Sequence, residues 1–165
     1  MILARSVTLP CLLLLATVTA CAPAKNDSTA APEAVVRDFN AAISARELDT
    51  ALAHLEPGAV NFNFGSAHSF TAAPGMKEPL TSDLALHWRT ITPVLYGTSR
   101  SYARNVEAVT THVDGALAVV WARMRTVTEP TTGSATSREF TESYVLRFDA
   151  GEWRIAGIAS SRTAR

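Results

Sequence analysis

Phe140-Thr141-Glu142-Ser143-Tyr144-Val145-Leu146-Arg147-Phe148-Asp149-Ala150-Gly151-Glu152-Trp153-Arg154-Ile155 reads as two strands joined by a tight turn. Asp149-Ala150-Gly151 is a hairpin signal, and period-two alternation runs on both sides of it. On the first strand, alternation puts Phe140, Glu142, Tyr144, Leu146 and Phe148 on one face. Four of these want the interior, so Glu142 is carried in with them. A carboxylate on an apolar face must be paired, hydrogen-bonded or protonated, because burying an isolated charge is prohibitive. Arg123 and Arg125 lie on the preceding strand, alternating with Ala122 and Met124. Folding that hairpin about Gly133 brings 123 or 124 opposite 142, and a slip of one residue turns Arg123 to the other face. In the favourable register Arg123 is the ion-pair partner of Glu142. The alternative is a glutamate exposed near a strand end.

Upstream, the same alternation predicts strands over about 101–113, 117–128 and 138–148, with a last one from Trp153 to Ser160. Asp114-Gly115 marks a turn, and Pro130 to Gly133 a loop. The chain before residue 100 is helical in pattern. Pro32-Glu33 suits a helix start, and Val36, Phe39 and Ile43 follow at helical spacing. Leu48, Leu52 and Leu55 form a second short stripe, which Pro57-Gly58 should stop. Val60, Phe62 and Phe64 alternate as a strand, and Gly65 to Pro79 reads as a long loop. Thr81-Ser82-Asp83 offers caps for a third helix that buries Leu84, Trp88 and Ile91, with Pro93 limiting its end. Helices first and an antiparallel meander afterwards predict an α+β domain, its helices packed on one face of a curved sheet.

Residues 1–20 have a different character. Arg5 precedes an apolar run, and small residues lead to Cys21, the layout of a secretory signal peptide. Val18-Thr19-Ala20-Cys21 resembles the bacterial lipobox, which implies lipidation of Cys21 and a membrane anchor. Ala22, rather than an aspartate, follows Cys21; in a Gram-negative host that resemblance implies the outer membrane, facing the periplasm. Residues 21–31 then read as the lipidated cysteine and a small, polar tether, and 32–165 as the folded domain. About 145 of the 165 residues remain after cleavage, a usual size for one domain. The cysteines are Cys11, lost with the leader, and Cys21, so no thiol is left for a disulfide or a zinc site. Fifteen basic residues balance fifteen acidic ones. With no basic stripe to neutralise phosphates, nucleic acid is not an expected partner.

Over about residues 32–162 the chain resembles the SnoaL-like members of the nuclear transport factor 2-like superfamily. The matching features are the opening helix pair Glu33 to Leu55, the helix carrying His87-Trp88, and the closing hairpin with Thr-Glu and Asp-x-Gly-x-Trp-Arg-Ile. The resemblance implies a cone-shaped sheet with three N-terminal helices on its concave face and a mostly apolar pocket at the open end. Relatives so implied include polyketide cyclases, ketosteroid isomerase and scytalone dehydratase, together with binding proteins that catalyse nothing. Many relatives carry a histidine near the end of the last strand. Here that stretch is Ala156-Gly157-Ile158-Ala159-Ser160-Ser161, with no titratable side chain.

The remaining candidates are few. His54, His68 and His112 read as solvated or helix-end residues. Asp83 and His87 are four apart on one predicted helix, where a carboxylate can orient an imidazole; a capping aspartate beside a surface histidine is the alternative. No metal-ligand spacing, nucleophile elbow or phosphate-binding loop occurs. The candidate pocket is therefore Glu142, Arg123, Tyr144, Trp88, His87 and Asp83, with no catalytic residue, metal or cofactor assigned. An ion-paired carboxylate makes a poor general base. The expected function is an exported lipoprotein that binds a small apolar or amphipathic molecule, or that acts as an accessory domain dimerising through its sheet. The alternative is a cyclase, isomerase or dehydratase using an acid–base group in the cone.

Overall fold

The computed structural model describes residues 30–63 and 81–160. The leader, Cys21, most of the tether, and the 65–79 loop with Phe64 and His68 lie outside the described residues.

Helix α1 (Ala30–Ser44) begins two residues before Pro32 and carries Glu33 in its first turn, where a negative charge complements the helix dipole. Its stripe of Val36, Phe39 and Ile43 is fully buried. Helix α2 (Leu48–Ala53) is short and buries Ala51. Pro57-Gly58 does not follow it as a stop, because strand β1 (Leu55–Asn63) has already begun. β1 is an edge strand whose register against its neighbour is irregular between Leu55 and Val60. A proline is tolerated there because no regular ladder bond is lost.

Helix α3 (Leu84–Thr98) starts at Asp83, whose Oδ1 accepts the Leu86 N–H at 2.8 Å. Leu84, Trp88 and Thr92 form its buried face. The expectation that Pro93 limits this helix fails: the helix continues five residues beyond it, to Thr98. Proline deprives the carbonyl four residues earlier of its partner, but that residue is Arg89, which like Pro93 is exposed to solvent. On the buried side, the Thr92 hydroxyl donates to the Trp88 carbonyl at 2.8 Å.

The rest is sheet: β2 (Ser99–Asp114), β3 (Leu117–Pro130), β4 (Thr136–Asp149) and β5 (Glu152–Ser160). The order is β1-β5-β4-β3-β2, antiparallel from β2 to β5 as the alternation predicts. β1 adds a parallel pair with β5 that no local pattern announced. Register shifts near Glu107 in β2 and Ala156 in β5 act as bulges, which bend a strand and raise its twist. The Ala156 bulge also resets alternation, so that Trp153 and Ile155 before it and Ile158 after it are all buried. The helices lie on the concave face. Phe39 meets Trp88 of α3 and Tyr144 of β4 edge-on, with ring centroids 5.8 and 6.5 Å apart. α1 also covers the free edge of β2: Ser44 Oγ accepts the Arg104 N–H at 2.8 Å, and Arg37 donates to the Val106 carbonyl at 2.9 Å. Edge backbone groups satisfied in this way are not available for pairing with another chain.

Phe148 departs from expectation. It shares the face of Tyr144 and Leu146 but is 42% exposed, because it stands at the hairpin end of β4. Trp153, across the β4–β5 ladder, has Phe148 as its ring partner, at 5.3 Å. Trp153 nevertheless belongs to the buried cluster. Truncating a buried aromatic costs about 3–5 kcal/mol. Trp153→Ala is therefore expected to shift the urea midpoint by a large part of the total stability, and an unchanged midpoint would show that this corner of the core contributes nothing.

Candidate functional site

Strand alternation delivers Glu142 and Tyr144 to the concave face of β4, where they are 4% and 0% exposed. The same rule delivers Arg104 from β2, flanked on that face by Tyr102 and Val106. Arg104 is 3% exposed, and its Nη2 forms an ion pair and hydrogen bond with Glu142 Oε2. β3 lies between the two strands, at a spacing of about 4.8 Å to each. Arg104 stands opposite Thr126 and Glu142 opposite Ala122, so the long arginine side chain reaches diagonally across β3 to the carboxylate.

Neighbouring groups complete the network. The Tyr144 hydroxyl donates to Glu142 Oε2 at 2.6 Å. Asn40 of α1 accepts from Arg104 Nε at 2.8 Å through Oδ1, and its amide donates to the Tyr144 oxygen at 2.9 Å. The same amide donates to the Val36 carbonyl at 2.7 Å. The guanidinium lies over two aromatic faces, Trp88 at 5.1 Å and Phe140 at 5.8 Å.

Electrostatics follow from this packing. Burial, the largest single influence, opposes the charge on Arg104, but the Glu142 carboxylate together with Tyr102 and Tyr144 outweighs it, so the guanidinium holds its proton more tightly than in water. Burial pushes the Tyr144 hydroxyl well above its ordinary range, and the charge of Glu142 pushes it further, against a smaller opposing pull from Arg104. Tyr144 therefore remains a phenol, able to donate. The charged groups of the interior sum to zero, and each is held by hydrogen bonds.

Arg123 is not part of this. It pairs with Thr141, not Glu142, and is exposed on the convex face with Arg125. The register sets Ala122 against Glu142, so even-numbered residues of β3 point inward and both arginines point out. Asp83 and His87 do not form the core of a site either. The Asp83 carboxylate serves as the α3 cap and is exposed; its carbonyl accepts the His87 N–H at 2.8 Å. His87 is half-buried, its ring edge-on to Trp88 at 5.7 Å. Trp88, Tyr144 and Glu142 are brought together. Arg104 and Asn40 were missed, though each carried a signal: Arg104 alternates with Tyr102 and Val106, and Asn40 falls one turn after Val36 on the apolar stripe.

Among the described residues no group of three or more His, Cys, Asp or Glu side chains is placed to hold a metal, and no helix is long and apolar enough to cross a membrane.

No family model and no curated protein matches the sequence. Solved structures do match. A nuclear transport factor 2-like superfamily protein from Salmonella enterica superposes with a TM-score of 0.63 at 12% identity, covering 84% of this chain and 94% of its own. A ketosteroid isomerase-like protein from Erwinia carotovora gives 0.60 at 18% identity, over 85% of this chain and 99% of its own. This chain has the nuclear transport factor 2-like fold. A hexachlorocyclohexane dehydrochlorinase from Novosphingobium barchaimii shares the fold at a TM-score of 0.62 and 10% identity, over 83% and 87% of the two chains. Such identities establish architecture alone, and the nuclear transport factor 2-like fold does not by itself specify chemistry.

The buried pair is open to a double-mutant test. Glu142→Leu or Arg104→Leu alone leaves an uncompensated buried charge and is expected to cost about 3–5 kcal/mol, whereas replacing both should recover most of that loss. Urea unfolding of the three variants measures this. Additive losses would show that the two side chains do not depend on each other.

Proposed function

We propose that this protein is an exported, lipid-anchored envelope protein whose nuclear transport factor 2-like domain binds a small apolar or amphipathic molecule without transforming it. The observation that carries the non-catalytic part is the mutual satisfaction of the interior charges. Glu142 receives bonds from Arg104 and Tyr144, and Arg104 is also held by Asn40. A general base needs a lone pair aimed at the substrate proton and a pKa near the working pH. A carboxylate engaged by a guanidinium and a phenol is suited instead to shaping and polarising an aromatic-walled interior. Support for export and anchoring comes from the leader: Arg5, the apolar run after it, and Cys21 behind Val18-Thr19-Ala20.

Two measurements on the full chain test this reading. In an exporting bacterial host, the wild type is expected in the membrane fraction with incorporated labelled palmitate. Cys21→Ser should lose both label and membrane partition and keep the same melting curve. Labelled, membrane-bound Cys21→Ser protein would overturn the anchoring. Incubation with cyclic ketones and alcohols should leave them unchanged; turnover that disappears in Glu142→Gln would favour the enzyme instead.

A further inference from the structure

The outer face of β3 carries an apolar row that the core does not use. Leu117 and Trp121 are 50% and 54% exposed, with half-buried Val119 between them and Val145 of β4 directly across from it. Contiguous apolar side chains exposed on a sheet face mark a contact surface, whereas single ones do not. Arg123 and Arg125 continue the row outward. Neither has an ion-pair partner among the described residues. The cross-strand neighbours of Arg123 are Ala108 and Thr141, neither of them a carboxylate. Arg125 donates from Nε to Ser137 Oγ at 3.3 Å and stands across from Glu139. Elsewhere on the sheet, Arg147 is engaged by Glu56 and Asp149, and Arg154 by Glu152. Asp114 lies opposite Leu117, at the hairpin margin.

We infer that this face docks on an anionic lipid surface, with Leu117, Val119 and Trp121 entering the headgroup region and Arg123 and Arg125 meeting lipid phosphates. This rests on the lipid-anchored reading above and adds an orientation to it. The first argument is where the anchor joins the fold. α1 is pinned to β2 beside the apolar row: Thr111 donates to Glu33 Oε1 at 2.7 Å, and the adjoining Thr110 stands opposite Trp121. The chain from Cys21 to Ala30 is nine residues long, a reach of at most about 30 Å. An anchor at Cys21 therefore holds this part of the sheet near the bilayer, and a contact too weak to bring the domain there from solution becomes intramolecular. The second argument is chemical. An indole suits the membrane–water boundary, where its ring is buried and its N–H stays wet. Arginines bordering it are drawn to anionic headgroups. A second copy on this face would bring the same unpaired arginines with it, whereas lipid phosphates supply the missing negative charge.

The test uses the full chain, expressed with labelled palmitate and reconstituted in vesicles of phosphatidylcholine brominated in its acyl chains, with or without phosphatidylglycerol. Bromine quenches tryptophan only on close approach, and Trp88 and Trp153 are buried. Quenching that Trp121→Phe abolishes therefore reports contact of this face with lipid. The wild type is expected to be quenched in vesicles containing phosphatidylglycerol. Arg123→Gln should lower the ratio of docked to undocked chain about fivefold, the attraction of one basic residue to an anionic surface, with an unchanged melting curve. Omitting phosphatidylglycerol should lower it at least as far. Absence of quenching in chain that carries the palmitate label would overturn the docking and leave the anchor intact. Shielding of Trp121 from aqueous acrylamide that grows with protein density, while bromolipid has no effect, would overturn it in favour of a second copy. Quenching indifferent to both phosphatidylglycerol and Arg123→Gln would overturn the anionic assignment. Quenching without label would uphold the docking and overturn the acyl anchor.

Discussion

A guanidinium and a carboxylate buried in the hollow of a curved sheet constrain everything packed around them. Either charge alone would cost several kcal/mol in an interior that excludes water, so the pair must be brought together and its remaining lone pairs and protons satisfied. Arg104 and Glu142 come from strands that are not neighbours. Their contact therefore requires a side chain long enough to reach diagonally from opposite Thr126 to opposite Ala122, and a sheet bent enough to turn both side chains inward. The bulges near Glu107 and Ala156 supply bends of the kind needed.

Helix α1 ties this interior to the outer edge. Val36, Phe39 and Ile43 bury its apolar stripe, and Asn40 on the same side reaches both Arg104 and Tyr144. One turn later Ser44 takes the backbone N–H of that same arginine. Side chain and main chain of Arg104 are thus both held by α1. The helix shields the edge of β2 and fixes the guanidinium at once, so a change at α1 reaches the network without touching the sheet. Low-dielectric networks of this kind strengthen one another when complete and become costly when a member is lost.

The same architecture hosts a dehydrochlorinase and a ketosteroid isomerase-like protein, so chemistry in this fold is a matter of which side chains line the hollow. Here a tyrosine held as a phenol, a carboxylate and a guanidinium occupy one another. Among the described residues, Trp88 Nε1 and Ser160 Oγ are buried without a hydrogen-bond partner.

Local pattern determined most of the elements. The alternation of 140–148, the Asp149-Ala150-Gly151 turn and the stripes of Val36–Phe39–Ile43 and Leu84–Trp88 carry their own burial, because side-chain period is a property of the backbone alone. Alternation likewise obliged Glu142 to face inward with Tyr144. What depended on tertiary structure was register and adjacency. Nothing local distinguishes 122 from 123 as the residue opposite Glu142, and the choice sends Arg123 to solvent. Pairing across a skipped strand, as between Arg104 and Glu142, exists only once sheet order and curvature are set. The parallel docking of β1 on β5, the passage of α3 through Pro93 and the exposure of Phe148 have the same origin. Each depends on where an element ends up against its neighbours, which the period of its own side chains does not encode.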